Sequence, residues 1–208
     1  MGSFSALRLL DRESTVTFVL RNSACFDEDE RIQGFLSSGK AYLVKGDALV
    51  RSDVQKRWEA AEKKGGRKID ILLLTEEPHR FPSPKASTSS QPTSLPSLSP
   101  TAQSFLNTLS TIPKAQLDPP AQPKLVVVSS AGVTKDSHTV LLSLLKPLYS
   151  TIPVPRNDEL GLEHLAHYSA GWSWNERDAS REVLPADWHK QENFASPGFG
   201  TLKDIMVV

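Results

Sequence analysis

Cysteine is nearly missing from this 208-residue chain, in which Cys25 stands alone. One thiol cannot close an intramolecular disulfide or build a cysteine-rich zinc site, so the fold must be held by its apolar core, and a reducing compartment is expected. An excess charge of either sign is absent too: 24 Lys and Arg balance 24 Asp and Glu. No global field draws the chain toward a polyanion or an anionic bilayer, which argues against nucleic-acid and membrane partners. Long hydrophobic runs are also lacking. Residues 1–10 are too short for the apolar core of a signal sequence and carry Arg8. No later stretch reaches the roughly 18 apolar residues that cross a bilayer. A soluble cytoplasmic protein is the expectation. With 38% apolar residues, the chain has the material for one sizeable core, and a single domain over residues 1–208 is expected.

Within those limits, helical and extended patterns alternate. Phe4, Leu7 and Leu10, with Ala6 and Leu9 beside them, sketch a short apolar helical face, and Thr15-Val-Thr-Phe-Val-Leu20 follows as a β-rich run. Residues 27–36 start acidic and turn apolar at Ile32, Phe35 and Leu36, the pattern of a capped helix. Ala41–Lys45 predicts a strand closed by Gly46-Asp47. Ser52-Asp53 is placed to cap a helix that carries Val54, Trp58 and Ala61 on one face. The basic turn at residues 63–68 ends that helix and leads into a strand, Ile69–Thr75. Beyond it come a helix near residues 101–109, the β-branched run Lys124-Leu-Val-Val-Val-Ser129, a helix over residues 158–168 and a last strand at residues 205–208. Apolar strands separated by helices predict an α/β fold with a mainly parallel sheet and helices on both faces.

Two stretches depart from that alternation. Residues 78–100 hold six prolines among many serines and few apolar groups, a composition that buries too little to offset ordering entropy, so a disordered loop is expected there. At the amino end, a dinucleotide-binding unit of the Rossmann kind would begin with a strand and a Gly-rich turn. Here Met1-Gly2-Ser3 leads directly into the first helix. In the usual 3-2-1-4-5-6 strand order the absent strand lies mid-sheet, so the Val16 and Ile71 strands are expected either to pair directly or to leave the sheet interrupted.

In order and spacing, several segments together resemble atypical short-chain dehydrogenase/reductases of the NmrA-like, NAD(P)-binding kind. They are Thr17–Asn22, Lys45–Leu49, Asp70–Thr75, Val128–Gly132, Leu145–Tyr149, and Leu160–His164 followed by Ala170-Gly-Trp172. The resemblance implies a Rossmann-like fold that uses NADP and reduces a carbonyl or alkene of a small apolar metabolite. It implies Arg21 at the 2′-phosphate, where a planar guanidinium bonds phosphate oxygens in pairs. It further implies Asp47 at the adenine amine, Thr75 near the nicotinamide ribose, and Gly2 as the last member of the Gly-rich motif. Ser129 and Ser130 match the serine that bonds the substrate carbonyl, and Tyr149 matches the tyrosine that donates a proton to the developing alkoxide. In active members a lysine lowers that tyrosine's pKa, whereas Glu159 stands in the position expected for it here. A carboxylate there acts in the opposite direction. The resemblance therefore implies an N-terminally truncated chain with a degraded site. A non-catalytic NmrA-like module that senses a dinucleotide or binds a protein is the alternative.

Simpler readings compete with each residue. Arg21 fits a solvated strand end, Asp47 an ordinary turn, and Thr75 a strand terminus. His164 and His167, at i and i+3, lack an evident third metal ligand. The row Glu159, Glu163, His167 reads as a solvated stripe. Ser129 with His138 and Asp136 lacks the nucleophile elbow of a hydrolase. Trp172, Trp174, Trp188, Phe194 and Phe199 fit either a pocket wall or core packing.

Overall fold

The computed structural model describes residues 2–66, 68–75, 100–129, 153–175 and 198–208, with residues 134, 139–140, 178, 184 and 188. The loop expected at residues 78–100 lies outside them apart from Pro100, the first residue of a helix.

Among the described residues, five strands, parallel to their neighbours within each sheet, alternate with helices. In chain order they are α1 (Gly2–Asp11), β1 (Val16–Leu20), α2 (Glu30–Ser37), β2 (Ala41–Lys45), α3 (Arg51–Gly65), β3 (Ile71–Leu74), α4 (Pro100–Thr111), β4 (Lys124–Val127), α5 (Pro153–Ala170) and β5 (Ile205–Val207). The α/β class and the parallel pairing follow the sequence pattern. The strands form two sheets, so of the two arrangements expected for the Val16 and Ile71 strands the interrupted sheet is the one seen. β1 pairs with β2, Val16 opposite Ala41, while β4 lies between β3 and β5, with Leu125 opposite both Leu72 and Ile205. β1 and β3 do not pair.

Local chemistry sets the element ends. Asp29 caps α2 by accepting from Ile32 N at 3.1 Å, so the acidic segment contributes the cap and the helix starts three residues later than residue 27. Preceding it, Ser23–Phe26 makes one turn of 3-10 helix. α3 begins at Arg51 with Val50 as its cap residue, and Asp53, placed at the cap by the sequence pattern, lies in the first turn. Gly66, at φ 67°, stops α3 in the left-handed conformation that glycine adopts without a Cβ penalty. Pro100 opens α4 and Pro153 opens α5, positions where a missing N–H costs no helical hydrogen bond.

Packing divides into two cores. Leu7 and Leu10 of α1, Ile32 of α2 and Ala41 of β2 form the smaller, with Val16 and Phe18 of β1 against them. Phe4 is 72% exposed and stays outside: the buried face of α1 is Ala6, Leu7 and Leu10. The larger core joins Trp58 of α3, Phe105 and Leu109 of α4, Leu125 and Val127 of β4, and Leu162 and Leu165 of α5. Each such side chain contributes about 1.5–3 kcal/mol on full burial. β4 has a partner on both sides and is the best covered strand. Ile71, expected in a buried strand, is 42% exposed because β3 has a neighbour on only one edge among the described residues. No helix of the described residues is long and apolar enough to cross a membrane.

Candidate functional site

Within each sheet the strands run parallel, so their carboxyl ends lie together: Arg21 and Asp47 follow β1 and β2 in one sheet, Thr75 and Ser129 follow β3 and β4 in the other. Open α/β sheets bind ligands at that edge. α1 ties the two sheets together. Its Leu7 and Leu10 pack on the β1–β2 side, while its first residue, Gly2, meets Thr75 at the end of β3. A Cβ on Gly2 would collide with Thr75 Oγ1, so this approach of helix to strand requires glycine. Two residues that the resemblance implies at the cofactor are thereby brought into contact. The amino end of α1, whose first backbone N–H groups find no partner within the helix, thus lies beside the carboxyl end of β3, an arrangement that attracts anions.

The other residues separate in role. Arg21 is exposed one residue past β1. Asp47 is engaged in its own turn: Oδ1 accepts from Leu49 N at 3.0 Å, and its N–H donates to Asp53 Oδ2 at 3.2 Å. This is the turn chemistry open to any Asp after a strand. The same corner is crowded, since a Cβ on Gly46 would lie 2.7 Å from Arg57 Nε. The loop also reaches the second sheet's helices through Asn107 Nδ2, which donates to Ala48 O at 2.9 Å.

Ser129 makes a contact that sequence reasoning did not anticipate. Its hydroxyl donates to Glu163 Oε1 of α5 at 2.5 Å, and its N–H donates to Val208 O at 2.7 Å. The sequence pattern places Glu163 on a solvated charge stripe. α5 instead crosses the end of β4, and the carboxylate turns inward to the serine. Thirty-four residues separate the partners, so no local pattern signals the pair. Ser130 and Tyr149 lie outside the described residues, as do His138 and Asp136.

The late aromatics form a second feature. His164 stacks on Trp174 with centroids 4.7 Å apart and planes 5° apart. Tyr168 meets Trp188 and Phe199 edge-on. His167 Nδ1 donates to Ser173 O at 2.9 Å, which fixes a proton on that nitrogen. The rings of His164, Tyr168, Trp172, Trp174 and Phe199 line an open cleft of about 460 Å³. It extends toward the carboxyl end of α5, where Gly200 N bonds Tyr168 O and the chain enters β5. The cleft therefore faces the strands' amino ends and not the edge that carries Thr75 and Ser129. Among the described residues, no group of three or more His, Cys, Asp or Glu is arranged to hold a metal ion.

Comparisons with protein-family models, with curated proteins and with solved structures find no match to this chain.

Proposed function

We propose that this chain is a dinucleotide-binding module of the short-chain dehydrogenase/reductase type, NmrA-like and Rossmann-like, that takes NADP at the carboxyl edge of its strands and has little or no turnover. The single observation that carries the reading is the junction of Gly2 with Thr75, which sets a helix amino terminus beside the carboxyl end of β3. Arg21, exposed at the end of β1, is free of the core and suits a 2′-phosphate. Asp47 holds its turn through Oδ1, which leaves the second carboxylate oxygen as the acceptor for an adenine amine. When bound, the nicotinamide would supply a hydride to a small apolar metabolite, and Tyr149 with Ser129 and Ser130 would handle the substrate oxygen.

The alternative, a non-catalytic dinucleotide-sensing or protein-binding module, gains from one specific contact. The Ser129 hydroxyl proton is directed at Glu163, so it does not point to a substrate carbonyl. A carboxylate beside that serine also opposes the build-up of negative charge on a reacting oxygen. Binding without reduction follows.

NADPH titration followed by nicotinamide fluorescence tests the proposal. Saturable binding is expected, weakened about tenfold or more by Arg21→Ala through loss of a charge-assisted phosphate contact, while NADH binding changes little. Absence of any saturable change up to millimolar NADPH would remove both the catalytic and the sensing forms of the reading.

A further inference from the structure

The aromatic cleft lies away from the strand ends at which the dinucleotide is placed. Leu202 N donates to Ser169 O at 2.8 Å and Lys203 N to Gln122 Oε1 at 2.6 Å, so the segment that follows Phe199 runs past the end of α5 to the amino ends of β4 and β5. Five rings wall a space of about 460 Å³, which is in the range of small-molecule sites. Two of them, Trp172 and Phe199, are 42% and 65% exposed. Single exposed aromatics are ordinary on a surface, whereas several gathered in one concavity mark a place where apolar contact is still to be made.

Backbone forms part of that cleft. Gly171, which lines it, and Gly200 both adopt positive φ, 73° and 67°, and a Cβ on Gly171 would stand 3.0 Å from Gly200 Cα. The two chains touch there and neither position takes a side chain. Hydrogen bonds fix the adjoining turn. Thr201 Oγ1 donates to Gly198 O at 3.0 Å, and Gln122 Nε2 donates to Thr201 O at 2.9 Å. Walls held in this way have little freedom left to lose when a ligand arrives.

Charge at the cleft has one sign. None of the residues that line it is acidic. Lys203 Nζ lies 3.8 Å from where a Cβ on Gly200 would stand, which puts an ammonium at the rim. Among the described residues no carboxylate pairs with it, and the adjacent Asp204 is engaged by Lys124 at 3.5 Å. The indole N–H of Trp174, on the wall, is buried without an acceptor. The cleft thus combines ring surface with unmatched donors and has nothing to neutralise a cation.

We propose that this cleft binds a planar aromatic monocarboxylate of one or two fused rings, its ring system among Trp172, Trp174 and Phe199 and its carboxylate directed to Lys203. Flat walls favour a flat ligand, which makes offset or edge-on ring contacts and surrenders no chain flexibility. A flexible fatty acid would lose that flexibility on binding. A cationic ring would meet the Lys203 ammonium with like charge. With one ammonium and no arginine on the walls, a singly charged carboxylate is matched better than a phosphate. The site uses no residue of the dinucleotide edge, so a failure to bind NADPH leaves it standing.

Amide and indole N–H shifts of the labelled full chain, followed while 2-naphthoate is added, test the proposal. Saturable shifts are expected at Gly171, Trp172, Ser173, Trp174 and Phe199, with Gly2, Arg21 and Thr75 unmoved. The neutral 2-naphthamide and the cationic 2-naphthylmethylammonium should bind at least about threefold more weakly, and Lys203→Ala should erase the advantage of 2-naphthoate over the amide. Trp172→Ala and Phe199→Ala should weaken all three ligands, while Phe4→Ala, at an exposed ring far along the chain, changes none. If Trp172→Ala does not fold, Phe199→Ala decides the ring contact. Equal affinity for the three ligands, an advantage of 2-naphthoate that survives Lys203→Ala, or no saturable shift at the cleft up to millimolar ligand would each overturn the proposal.

Discussion

Replacing Ser129 by alanine deletes the hydroxyl that donates to Glu163 Oε1 at 2.5 Å and leaves a half-buried carboxylate short of one donor. A hydrogen bond to a charged group contributes about 1.5–3 kcal/mol, and partial exposure of both residues puts this one at the lower end, because water can reach the abandoned oxygen. Ser129→Ala is expected to cost about 1.5 kcal/mol, which lowers Tm by roughly 3–6 °C in a chain of this size. Glu163→Gln keeps an acceptor and should cost only about 1 kcal/mol. In a cycle with Glu163→Ala, the double variant should be about 1 kcal/mol more stable than the sum of the single losses, since the second change removes a partner already lost. Urea unfolding followed by tryptophan fluorescence measures all four forms. A coupling below about 0.3 kcal/mol, the scatter of independent sites, would refute the pair and return the Ser129 hydroxyl to the substrate.

Further outcomes test the fold around the site. Phe105→Ala, at a fully buried position of α4 in the larger core, should cost about 3–5 kcal/mol in denaturant unfolding, a large share of a domain's total stability. Asp29→Ala removes the cap of α2 and should cost about 1 kcal/mol by the same assay, whereas Asp29→Asn keeps a side-chain acceptor and should retain most of that stability. Gly2→Ala sets helix propensity against the collision with Thr75 Oγ1. It should destabilise by about 1 kcal/mol in the native background and turn neutral or stabilising when combined with Thr75→Ala, as thermal melts would show.

The sequence pattern locates most elements because their signals are local. Ala41–Lys45 is a strand over the very residues predicted, since Gly39 and Gly46 bracket a short apolar run. The α1 face departs from its periodicity at Phe4, because a periodic stripe does not say where the sheet beneath it stops, and Phe4 lies one turn beyond that contact. α5 begins at Pro153, earlier than residue 158, because proline breaks a helix interior but is accepted in its first turn. The exposure of Ile71 has no local signal at all. A continuous apolar run reads as a fully covered strand, whereas cover depends on neighbours, and β3 has only β4 among the described residues. At the site, the edge positions of Arg21, Asp47, Thr75 and Ser129 are legible because strand ends are. The Ser129–Glu163 pair and the Gly2–Thr75 contact are not, since each joins elements far apart in the chain through tertiary packing.

Amide chemical-shift mapping of the labelled chain during NADPH titration tests the central claim most directly. Shifts are predicted to concentrate at Gly2, Arg21, Asp47, Thr75 and Ser129, along the carboxyl edge of both sheets. Shifts confined to His164, Tyr168, Trp172, Trp174 and Phe199 around the aromatic cleft, or none anywhere, would contradict it.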